Sequence, residues 1–99
     1  MADFVNYLAE FSFHIRLDEV AYAINIPAGQ ILAVRASGLQ IFLGIWDTKP
    51  LIRPYQTRRF MVLKVGQSLP DQYRNKIREN LGTVFLNNQT YYIFEVDNA

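Results

Sequence analysis

Phe11, Phe13, Ile15 and Leu17 alternate with Ser12, His14 and Arg16, and few folds accommodate such a run. A period of two over seven residues puts every apolar side chain on one face of an extended chain and every polar one on the other. The same alternation returns in Val20, Tyr22, Ile24 and Ile26, so a β-rich fold is expected. In the chain of 99 residues, apolar types make up 51%. That suits one domain, 1–99, with one core.

Punctuation divides the remainder. Asp18-Glu19 reads as a turn, and Pro27-Ala28-Gly29 ends a strand. Ile31 to Arg35 is a further strand, and Ser37-Gly38 turns into Leu39 to Trp46. That segment is apolar on both faces and therefore central. Gly44 within it suggests a bulge or the close approach of a neighbouring chain. Thr57 to Val65 is again apolar on both sides. Asn87-Asn88 tolerates positive φ and predicts a tight hairpin between Thr83–Leu86 and Gln89–Val96. Phe4, Val5 and Tyr7 favour an N-terminal extension of the first strand over a short helical turn.

Leu69, Tyr73, Ile77 and Leu81 recur every four residues behind Ser68, Pro70 and Asp71, and Gly82 follows. This spacing predicts a helix near residues 70–80. The expected class is α+β: a mainly antiparallel twisted sheet or open barrel of six or seven strands with one helix.

Composition narrows the chemistry. The chain has no cysteine, which excludes disulfides, thiolate metal sites and a cysteine nucleophile, and favours a reducing compartment. No early segment reads as a signal peptide, and no apolar run approaches a membrane span, so a cytoplasmic protein without a membrane partner is expected. His14 is the sole histidine, and Arg16 on the same strand face would repel a cation. No metal site and no cofactor are expected. Ser12, Ser37 and Ser68 have no local base, and Asp18-Glu19 reads as a solvated turn, so bond chemistry is not expected. A small hydrolase built on His14 is the weakest reading.

The net charge is +1. Residues 1–49 hold three Lys/Arg against five Asp/Glu, and residues 50–99 hold seven against four. That imbalance is too slight for the basic stripe of a strong nucleic-acid binder. The densest group of recognition residues runs from Trp46 to Phe60, with Trp46, Arg53, Tyr55, Arg58 and Arg59 beside Pro50 and Pro54. Trp, Tyr and Arg dominate interface hot spots. The same types also suit base stacking and phosphate contact. The plain alternative is a core Trp46 followed by a crossover with wet-face arginines.

Several fragments share an order and spacing with one family. They are Ile26-Pro27-x-Gly29-x-Ile31-Leu32-x-Val34, Arg58-Arg59-Phe60, Val65-Gly66-x-Ser68-Leu69-Pro70, Leu81-Gly82-Thr83-Val84 and Tyr92-x-Phe94-Glu95. In these the chain resembles small uncharacterised β-rich domains encoded by bacteriophages and prophages. Met1–Glu10 and the 70–80 segment depart from that family's pattern. The resemblance carries no activity and no catalytic residue. It implies a viral accessory protein in bacterial cytoplasm. The reading it supports is a binding or assembly module that acts through a surface on a host or phage protein, with self-association; an inhibitor that sequesters a host protein is one subclass. A nucleotide or single-stranded nucleic-acid module using Arg53, Arg58 and Arg59 is the alternative.

Overall fold

The alternating segments do become strands. The computed structural model describes residues 7–16, 18–47 and 54–97. Its strands are β1 (Tyr7–His14), β2 (Ala21–Pro27), β3 (Ile31–Ser37), β4 (Gln40–Asp47), β5 (Tyr55–Lys64), β6 (Ile77–Leu86) and β7 (Gln89–Val96). All ladders are antiparallel. They form two sheets, ordered β1-β4-β3 and β2-β5-β7-β6, in place of the expected single sheet or barrel.

The sheets share one core between them. Phe13, Ile41, Leu43 and Ile45 come from the first sheet, and Tyr22, Phe60, Val62 and Ile93 from the second. The Phe13 ring lies 5.0 Å from Tyr22 and 6.3 Å from Phe60, stitching the layers together with aromatic contact. Each inward residue is followed by an outward one, as the pleat requires.

The predicted helix is absent, and the class is all-β. Residues 71–73 make a single 3₁₀ turn, and β6 begins at Ile77. The four-residue spacing explains the error. A helical face needs apolar residues at i+3 as well as i+4, yet Gln72, Lys76 and Asn80 occupy those positions. A repeat of four is also a multiple of two, so Ile77 and Leu81 fit a strand equally well. Leu69 and Tyr73 do bury themselves, against Met61, Leu63, Phe94 and Val96 on the outer face of the second sheet. This segment is a crossover. β5 and β6 both lie antiparallel to β7, on either side of it, so they run parallel to each other and cannot be joined by a hairpin.

β5 is consequently buried on both faces. Phe60 and Val62 enter the core between the sheets, and Met61 and Leu63 meet the crossover. β4 is central in its sheet, as its two-sided apolar pattern implies. Asn87 and Asn88 adopt φ of 53° and 62°, forming the expected hairpin turn. The bulge near Gly44 falls on its neighbour: the β3 register shifts between Ile31 and Ala33, and Ala33 pairs with Gly44. The first strand extends upstream to Tyr7, and residues 3–6 lie outside the described residues. Among the described residues no helix is long and apolar enough to cross a membrane.

Candidate functional site

β2 ends and β5 begins at the same end of the sandwich, where Pro27 pairs with Tyr55. β6 begins and β7 ends there too, with Ile77 opposite Val96. Arg58 has the parity of Phe60 and Val62, and Glu95 that of Ile93, so two opposite charges point into the core. Arg58 Nε donates to Glu95 Oε2 and Nη2 to Oε1, both at 2.7 Å. The two side chains are 8% and 7% exposed. Arg58 Nη1 donates further to the carbonyls of Pro27 at 3.1 Å and Gly29 at 2.7 Å. Four of the five guanidinium N–H groups are thereby engaged. The arginine straps the passage from β2 to β3 onto β5 and β7.

A polar cleft of about 320 Å³ opens above this pair, lined by Gly29, Gln30, Gln56, Arg78 and Glu79 as well as the pair itself. Arg78 forms an exposed ion pair with Asp97 at 3.3 Å. Tyr55 is 59% exposed, and its ring meets Phe11 edge-on at 6.1 Å.

Of the five residues singled out in the sequence, Tyr55, Arg58 and Arg59 come together at this end. Arg58 is no surface anchor, because its charge is buried and paired in two hydrogen bonds with Glu95. Arg59 lies on the opposite face of β5, half-buried, with Ala23 and Val96 as register neighbours. Trp46 lies in β4 with Leu8 as its register partner. Arg53 lies outside the described residues. Sequence reasoning missed Glu95, yet a signal was present. An acid at core parity beside Ile93 calls for a cation at core parity elsewhere, and Arg58 is one.

The outer face of the first sheet is polar. Arg35 Nε and Nη2 each donate at 2.8 Å to Glu10, reaching across β4 at the buried Gly44. The Arg35 guanidinium also sits 4.1 Å above the Phe42 ring. Its hydrogen bonds hold the Glu10 carboxyl below the ordinary carboxylate range. His14 is exposed on this face, near Ser12, whose hydroxyl accepts from Gln40 at 3.0 Å. Among the described residues no three His, Asp or Glu side chains cluster as metal ligands.

No family model matches the chain, and neither curated proteins nor solved structures give a match.

Proposed function

We propose that the chain is a small binding module that acts through its Tyr55–Arg59 end on another protein. The observation that carries this reading is Tyr55: an aromatic residue 59% exposed, seated edge-on against Phe11 beside the rigid Arg58–Glu95 strap. A large ring held in place at the surface loses little entropy on docking, which is what interface anchors exploit. The sequence likeness to phage-encoded domains supports a host protein in bacterial cytoplasm as the target, sequestered or inhibited by the module. The nucleic-acid alternative needs Arg53, Arg58 and Arg59 free for phosphate, and the engagement of Arg58 with Glu95 weighs against it.

The test compares three immobilised proteins: wild type, Tyr55→Ala, and Leu39→Ser at the far end of the sandwich. The reading expects one partner retained in near-stoichiometric amount by wild type and Leu39→Ser, and lost with Tyr55→Ala. Equal retention by all three overturns it. Binding of a single-stranded oligonucleotide that falls steeply with salt would favour the alternative instead.

A further inference from the structure

Tyr55 and the Arg58–Glu95 pair occupy one end of the sandwich, and the other end holds a cleft of different character. It measures about 440 Å³, within the range of small-molecule sites. Ile15, Val20, Val62 and Tyr91 supply apolar wall, and Arg16 and Lys64 are the cations that line it. Glu19 is the single acid among the lining residues, and it pairs with Arg16 at 3.0 Å. Lys64 makes no ion pair with any described residue, so the lining carries one uncompensated positive charge. The hydroxyl of the half-buried Tyr91 likewise makes no hydrogen bond to a described residue.

Described residues on both flanks of the cleft are tied down by hydrogen bonds. The Tyr22 hydroxyl accepts from Arg16 N at 2.9 Å and faces the carbonyls of Arg16 at 3.0 Å and Glu19 at 2.9 Å. Across the cleft, Gly66 takes φ of 90°, Lys64 N donates to Gln67 Oε1 at 3.0 Å, and Gln67 N donates to Lys64 O at 2.9 Å. Lining residues already held by hydrogen bonds lose little freedom on binding.

The geometry points to a binding site for a small amphipathic carboxylate, its acyl chain against Ile15, Val20 and Val62 and its head group between Arg16 and Lys64. Apolar wall selects the chain, the surplus cation selects the anion, and Tyr91 offers a hydroxyl to the carboxylate. This site is separate from the Tyr55 end and stands or falls independently of it.

The probes are decanoate and decanol below their aggregation limits, titrated into the full chain and followed by amide NMR. Decanoate is expected to shift Glu19, Val20, Lys64, Val65, Gly66, Gln67 and Tyr91 saturably. Decanol should bind more weakly by about ten- to twenty-fivefold, the scale of two partly exposed charge interactions. Lys64→Gln and Arg16→Gln should each weaken decanoate by about three- to fivefold and leave decanol unchanged. Both side chains are exposed, and an unchanged thermal midpoint verifies that each variant is folded. Absence of saturable shifts, equal affinity for the two probes, indifference to both substitutions, or shifts centred on Leu39 and Phe85 would each overturn the assignment.

Discussion

Glu95→Ala tests the architecture of the Tyr55 end most directly. The substitution removes both carboxylate bonds of Arg58 and leaves a guanidinium that is 8% exposed with only two carbonyl acceptors. Stripping one partner from a buried pair costs about 3–5 kcal/mol. That is a large share of the roughly 5–15 kcal/mol that holds a domain together. At about 4–8 °C per kcal/mol for a domain near this size, the melting temperature should fall by at least ~12 °C. Urea unfolding followed by far-UV circular dichroism gives the free energy directly. The double variant Arg58→Met/Glu95→Leu should recover most of the loss, because an apolar pair of similar volume leaves no orphaned charge. The single variants Glu95→Leu and Arg58→Met close a cycle with this double variant, and the cycle isolates the coupling. Asp97→Ala is the internal control. It breaks the exposed Arg78 pair and should change stability by only ~0–1 kcal/mol. A Glu95→Ala loss as small as the control's would refute the buried pair.

Tyr22→Phe removes the hydroxyl that gathers Arg16 and Glu19, and should cost about 1–3 kcal/mol in urea unfolding while accelerating hydrogen exchange at the Arg16 amide. Burial raises the Tyr22 pKa above the ordinary tyrosine value, against the opposing hydrogen bond from Arg16. The unfolded chain therefore releases this proton first, so stability is full below the unfolded value and declines as pH rises through the folded one, checked by ultraviolet titration of tyrosinate. Glu10 behaves oppositely: its lowered pKa gives stability above the unfolded value that is lost as pH falls through the folded one. Arg35→Ala should return the Glu10 titration, read by carboxyl carbon NMR, toward the ordinary range. Gly82→Ala should destabilise by about 1–3 kcal/mol, because φ is +121°, while its Cβ would meet Val34 at an ordinary 3.7 Å. A neutral Gly82→Ala would show that the β6 register shift between Asn80 and Gly82 relaxes.

The strands were legible because burial on one face writes itself into a sequence at period two. Phe11 and Phe13 show it in β1, and the two-sided apolar run in β4 marked that strand as central. Asn87-Asn88 was legible for a local reason, its tolerance of positive φ. The crossover was not. Leu69 and Tyr73 bury themselves one after another against a distant sheet face, and the polar residues between them carry no period of their own. The division into two sheets was equally hidden, since it depends on which distant strands pair. In the Tyr55–Arg59 group, residue type gave no warning that Arg58 would be buried. Parity with Phe60 and Val62 outweighed the preference of arginine for the surface once Glu95 was within reach.

The double burial of β5 has a consequence before the fold exists. Only β3–β4 and β6–β7 are local hairpins, whereas β5 must find β2, with Ala21 opposite Met61, across a long stretch of chain. Closing that loop belongs late in an all-β folding reaction, on a scale of about milliseconds to seconds. Until β5 has paired with both β2 and β7, Phe60-Met61-Val62-Leu63 is an unpaired, uncharged, strand-forming run, the kind that nucleates aggregation. Arg58 and Arg59 precede it and Lys64 follows it. In the nascent chain these three cations act as gatekeepers, repelling a second copy of the same segment. Arg58 thus serves twice, first as a charge that keeps chains apart and then as the buried partner of Glu95.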